Sequence, residues 1–302
     1  MCYNLFRQEI LILSPDGVFE MKQDVDIRPS PIAGQWYPGN ASSLASTVDA
    51  YIHAADLPEI PGEVVAIVTP HAGHVYSGEV AGYAFAALSG LTPEIIAVVS
   101  PMHQPYPDGL LTSGHDAYQT PLGTVSIDKP SLKALDKKLE RELGFGLRPV
   151  RNDREHSLEI ELPFLQRALD QPFSLLPVMV RDQRVRVTQV LGKALAGILK
   201  DKQALLVAST DLSHFYSQEV AEKLDQEFLR RLKSFDPKAV LKAEEEGKAF
   251  ACGRGAVAAV LWAARELGAD EVRILKYATS GDVSGEYRQV VGYGAAVVTR
   301  SQ

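Results

Sequence analysis

Residues 63–78, EVVAIVTPHAGHVYSG, join a seven-residue apolar run to a loop with two histidines and then to a small-residue run. The first half, EVVAIVT, is rich in β-branched residues and almost continuously hydrophobic, the pattern of a strand covered on both faces. Working outward, the same signal recurs at residues 94–99 (EIIAVV), 173–180 (FSLLPVMV), 204–208 (ALLVA), 271–277 (EVRILKY) and 290–298 (VVGYGAAVV). Helical patterns lie between these runs. Leu132, Leu135, Leu139 and Leu143 share a face that Gly144 ends, and Leu158, Leu162, Leu165 and Leu169 form a second stripe. Strands alternate with helices from about residue 60 onward, with no repeat, low-complexity tract or linker. The pattern predicts a single α/β domain whose central sheet, mostly parallel or mixed, is flanked by helices.

The first 25 residues read differently. LILSPDGVFEM, residues 11–21, sets apolar flanks around Ser-Pro-Asp-Gly, a turn sequence that suits a small hairpin. The rival reading makes Met21 the true start and the preceding residues an artefact of translation. The expected division is therefore an extension over residues 1–25 and the α/β domain over residues 26–302.

A chain of 302 residues can bury a substantial core without staples. Its 31 Lys and Arg against 38 Asp and Glu give a net charge of −7, and no basic cluster follows a phosphate backbone, so nucleic acid is not an expected partner. The longest apolar runs, such as residues 64–68 and 94–99, are far too short to cross a bilayer. The N-terminus has no basic start, long apolar stretch or small-residue cleavage site, so a cytoplasmic protein without a membrane partner is expected. Cys2 and Cys252 lie at opposite ends of the chain and make no disulfide framework, which leaves Cys252 as a free thiol.

In an open α/β sheet, ligands bind beyond the carboxyl ends of the strands. Three strand ends carry a histidine: His71, His103 in SPMHQP, and His214 in STDLSHF, the last with Asp211 beside it. Parallel neighbouring strands would bring these side chains together. Cys252 precedes a segment with helical periodicity, and a helix N-terminus favours thiolate over thiol, so it is a candidate metal ligand or nucleophile. Each residue also has a plainer role. A single histidine after a strand is more often bonded to backbone, Asp211 can cap the segment near His214, and a free cysteine is commonly a small buried hydrophobe. Asn152 and Glu155 have capping-box spacing for a helix through Glu159, with Glu155 and His156 kept as pocket candidates behind the others. His74 is three residues from His71, but Gly73 argues for a loop, so His74 and Tyr76 are expected to line a pocket. His53 reads as structural or exposed, and His115, just before DAYQTPLGTVSID, as a strand or loop residue.

Several blocks resemble the Memo family, most closely its prokaryotic branch, the AmmeMemoRadiSam system protein B. They are PIAGQWYPGN (31–40), TPHAGHVYSG (69–78), SPMH (100–103), YQTPLGTV (118–125), EHSLEIELPFLQ (155–166), STDLSHF (209–215), CGRG (252–255) and TSGDVSGEYRQVVGYGA (279–295), in order over roughly residues 26–302. The resemblance implies a fold like that of the class III extradiol ring-cleavage dioxygenases. It also implies a metal pocket formed by His71, His103 and Cys252, with Asp211 and His214 nearby and His214 in the place of an acid–base histidine. One departure is visible: some relatives carry two adjacent histidines where this chain has Met102-His103-Gln104. Family association further implies radical-SAM and AMMECR-type proteins as partners. The chain itself has no CxxxCxxC motif.

Two imidazoles and an anionic ligand leave open positions of the kind non-haem iron uses, so one transition metal ion is expected, iron(II) first and copper or zinc as competitors. A thiolate is itself oxidisable, which tells against steady dioxygenase turnover. Three readings of function follow. The first is a metal-dependent, dioxygenase-like oxidoreductase acting on a small molecule. The second is a non-catalytic module that binds a peptide or protein through an inherited pocket. The third is a metal-free hydrolase with Cys252 as nucleophile, a histidine base and Asp211 as its orienter.

Overall fold

The computed structural model describes residues 11–13, 19–21 and 25–301. In the N-terminal segment β1 (Leu11–Leu13) pairs antiparallel with β2 (Phe19–Met21), and the Ser-Pro-Asp-Gly turn expected between them lies outside the described residues. The following elements are β3 (Ile27–Arg28), α1 (Ala41–His53), β4 (Glu63–Thr69), α2 (His74–Ala86), β5 (Ile95–Pro101), β6 (Leu110–Ser113), β7 (Ala117–Thr120) and β8 (Gly123–Ser126). Next come α3 (Lys129–Leu143), β9 (Arg148–Val150), a 3-10 turn (Glu159–Glu161), α4 (Leu162–Ala168), β10 (Ser174–Val180), α5 (Val185–Leu199) and β11 (Ala204–Ser209). The chain continues with β12 (His214–Tyr216), α6 (Gln218–Lys233), α7 (Pro237–Glu245), α8 (Arg254–Glu266), β13 (Glu271–Thr279), α9 (Ser280–Ser284) and β14 (Val290–Arg300).

The main sheet runs β12-β14-β4-β11-β5-β10-β6-β9, with β13 also paired to β14. Its middle, β4-β11-β5-β10, is parallel, while β14 pairs antiparallel with β4 and β6 antiparallel with β10. The sheet is therefore mixed around a parallel centre. The apolar runs explain that centre: every residue of β5 is buried, and Ile67, Val207, Val98 and Pro177 align in one row across four strands. One layer of helices is α3, α5 and α8, and a second is α1, α2 and α4. Ligand-binding geometry follows from the strand order. β11 comes late in the chain yet inserts between β4 and β5, so the loops leaving all three lie side by side at one edge.

Local signals set the helix ends. Asp128 caps α3 through the N–H of Ser131, Pro130 occupies the first turn, and Gly144 closes it at φ 81°, a conformation costly for any residue with a Cβ. The second leucine stripe is buried as its spacing predicts, but only Leu162 and Leu165 lie within α4, because the chain before it is a loop and a 3-10 turn. A small separate sheet, β3-β7-β8, was not visible as apolar alternation in such short strands. Among the described residues, no helix is long and apolar enough to cross a membrane.

Leu206 has no solvent exposure in the central strand β11. Leu206→Ala is expected to lower the unfolding free energy by about 2–5 kcal/mol in urea titrations followed by circular dichroism. A loss well below about 1 kcal/mol would show that this strand does not form the packed centre.

Candidate metal centre

The three adjacent loops deliver the side chains of the site. His71 follows β4 by two residues, and its backbone N–H donates to Asp211 Oδ1 at 2.8 Å. Thr210 N–H donates to Thr69 O at 2.9 Å, so the loops after β4 and β11 are tied together. His103 leaves β5, and His214 opens β12 opposite Val291. With Tyr76, His156 and Asp211 these histidines line a pocket of about 500 Å³. One ring nitrogen each of His71, His103 and His156 lies within 4.8 Å of the other two.

Hydrogen bonds set the rings. Ser209 Oγ donates to Ser157 O at 2.7 Å, which leaves it to accept from His71 Nδ1 at 2.8 Å. His71 is then protonated at Nδ1 and bare at Nε2. His103 Nδ1 lies 2.9 Å from Glu155 Oε1 while its backbone N–H donates to Oε2 at 2.6 Å, so a carboxylate fixes this ring from behind. Glu155 Oε1 also accepts the N–H groups of His156 and Ser157, each at 3.0 Å. His156 stacks on His103 with centroids 4.8 Å apart and packs on Trp36 at 4.1 Å.

Burial favours the neutral form of His71, His156 and His214. Burial, reinforced by the neighbouring His156 and His103, holds His71 well below the usual histidine range, and burial pushes His156 down to about 4. Burial also lowers His214. For Glu155 burial acts upward, but the bonds from His103 and the backbone prevail and its carboxyl falls well below the ordinary range. Asp211 is pushed up to about 7 by burial, partly offset by the N–H of His71. Neutral imidazoles present lone pairs, which is what a metal ion requires.

Cys252 stands just before α8, whose N-cap is Gly253, as its sequence position suggests. Its Sγ lies 3.1 Å from His71 Nε2, the nitrogen opposite the one that Ser209 holds, and is not among the residues that line the pocket. The expectation of a thiolate at the helix end does not hold here: burial, with Asp211 adding to it, pushes the thiol up and outweighs the helix terminus. His74 is not on the pocket wall either. It begins α2 buried between Tyr37 and Phe164, with Nε2 3.2 Å from Ile160 O, because the helix turns its ring inward. The capping-box reading of Asn152 and Glu155 is also replaced. Asn152 has φ 51°, no helix starts there, and the Glu155 carboxylate serves the histidines. His53 ends α1 exposed, and His115 is buried against Asp26 at 3.0 Å. Sequence reasoning missed Ser209 and Trp36, neither of which carries a spacing signal.

The sequence model of the Memo-like protein family matches residues 28–297. A MEMO1 family protein of Nitrosopumilus maritimus is 33% identical over 273 residues, covering 89% of this chain and 98% of its own. Another, from Methanopyrus kandleri, is 34% identical over 287 residues, covering 90% and 99%. Among solved structures, an uncharacterized protein from Escherichia coli K12 is similar with a TM-score of 0.47 at 13% identity, covering 78% of this chain and 100% of that one.

Ser209→Ala removes the acceptor of His71 Nδ1–H. Imidazole ¹H–¹⁵N spectra are expected to show His71 losing its single Nδ1–H form, at a stability cost of about 1–2 kcal/mol. An unchanged His71 spectrum would disprove the assigned tautomer.

Proposed function

This chain belongs to the Memo-like protein family, and from that premise we propose that its pocket is a mononuclear metal centre for redox, oxygenase-like chemistry on a small substrate. The observation that carries this reading is the convergence of His71, His103 and His156, whose ring nitrogens already lie within 4.8 Å of one another. Glu155 and Ser209 bond the far sides of two of these rings, the support that fixes ligand histidines in metal sites. Asp211 Oδ2 lies 3.9 Å from His71 Nε2 and adds a carboxylate beside the imidazoles, the donor combination of non-haem iron. Iron(II) is the favoured ion, with copper and zinc as competitors.

The Cys252 thiol would compete with any such ion for the single lone pair on His71 Nε2. His71 Nε2 and Cys252 Sγ are 3.1 Å apart, near enough that both could serve one ion. His71 Nε2 would hold such an ion, and the Cys252 sulfur, once its proton had passed to solvent, would be the anionic donor that the family resemblance assigns. When bound, the ion supplies Lewis acidity and, as iron or copper, one-electron chemistry at open positions. The protein's own part is to orient and to handle protons. Trp36 and Tyr76 wall the substrate space, while His214 and Asp211 face it as the groups that can hold or move a proton. The hydrolase reading fits less well, because Cys252 is off the pocket wall and Asp211 accepts from the His71 backbone instead of orienting its ring.

Anaerobic purification followed by elemental analysis tests the proposal. The wild type is expected to hold one transition metal ion per chain, and His71→Ala and His103→Ala to hold none. His156→Ala is expected to weaken binding about tenfold or more, and Cys252→Ala to retain metal with a reduced preference for copper. A wild type without stoichiometric metal would defeat the reading. Metal without oxygen uptake across a panel of catechols would favour the binding module instead.

A further inference from the structure

Residues 151–158 carry Glu155 and His156 to the pocket, yet they form neither helix nor strand. Asn152 opens the segment at φ 51°, and the buried backbone after it must find side-chain partners. It finds them on Arg28, which lies 125 residues upstream in β3 and is 1% exposed. Arg28 Nη2 donates to Glu155 O at 2.9 Å, Asp153 O at 3.3 Å and Asp153 Oδ1 at 2.8 Å. Nε donates to Asp153 Oδ2 at 3.2 Å, and Nη1 turns the other way to Glu159. The N–H of Glu155 returns to Asp153 Oδ1 at 3.0 Å. One guanidinium therefore grips the Glu155 backbone at both ends, directly at the carbonyl and through Asp153 at the N–H. The grip itself is anchored, since Arg28 pairs with Tyr118 of β7 and its guanidinium lies 4.9 Å from that ring.

We propose that Arg28 is a positioning residue for the candidate metal centre, setting through residues 153–155 the carboxylate of Glu155 and the rings of His103 and His156. Its affinity readout rests on the metal reading above, while its geometric readout does not. A planar fork of N–H donors serves carboxylate and carbonyls together, which the single ammonium of lysine cannot do. Lysine does keep the positive charge against Asp153 and Glu159, so Arg28→Lys separates positioning from the simple need for a buried cation.

Imidazole ¹H–¹⁵N spectra of the full chain after chelator treatment read the His103 tautomer without metal, and cobalt(II) titration reads affinity. The wild type is expected to show His103 as a single Nδ1–H form. Arg28→Lys is expected to stay folded, to mix the His103 tautomers and to bind cobalt(II) about tenfold or more weakly. Glu159→Gln, on the opposite side of the same guanidinium, is expected to lose stability but keep the tautomer and affinity. If Arg28→Lys does not fold, Asp153→Asn carries the same expectation. A wild-type tautomer and affinity in Arg28→Lys, or equal losses in Glu159→Gln, overturn the proposal. A wild type that binds no cobalt(II) overturns the metal reading alone, and a mixed tautomer in Arg28→Lys then still supports positioning.

Discussion

The parallel ladder β4-β11-β5 is the constraint on which the rest depends. These strands are apolar along both faces, so helices must cover both and the polar chemistry is driven to the ends. Three loops leave one edge within a few residues of one another. Each has to satisfy its own backbone without a ladder, and the interloop bonds Thr210 N–H to Thr69 O and His71 N–H to Asp211 do this. The same bonds place His71 and Asp211 in contact. Holding the loops together and assembling the site are one physical event.

The site is also an exercise in orientation. An imidazole can point either nitrogen at a ligand, and here the choice is made from behind, by a hydroxyl for His71 and by a carboxylate for His103. Glu155 is nearly inaccessible and accepts bonds from the backbone N–H groups of His103, His156 and Ser157 as well as from the His103 ring. Such a concentration of bonds explains why it remains a carboxylate in a buried place.

Legibility in the sequence followed the range of the signal. The apolar run of β4 has the same limits in sequence and structure, and the other long strands differ only at their ends. Strands of two to four residues, such as β3 and β6 to β9, are too short for alternation to register. His71, His103, Asp211 and His214 could be found because each follows a strand or its loop. His156 could not be placed in the same way, since it arrives on an irregular segment whose path depends on Arg28, more than a hundred residues away. His74 misled for the opposite reason: it lies close to His71 in sequence, but α2 begins there and turns it inward.

The insertion of β11 between β4 and β5 has a kinetic consequence. His71 and Asp211 are separated by 140 residues, so the contact order of the centre is high and its assembly belongs to the late part of folding. During synthesis β4 and β5 emerge long before their shared neighbour, and the slot between them stays open until residues 204–209 leave the ribosome. Two unpaired parallel edges are exposed for that interval, and an unpaired edge is a template for pairing with another chain. The pocket is walled only after Val291 and Tyr293, which line it, have joined the sheet.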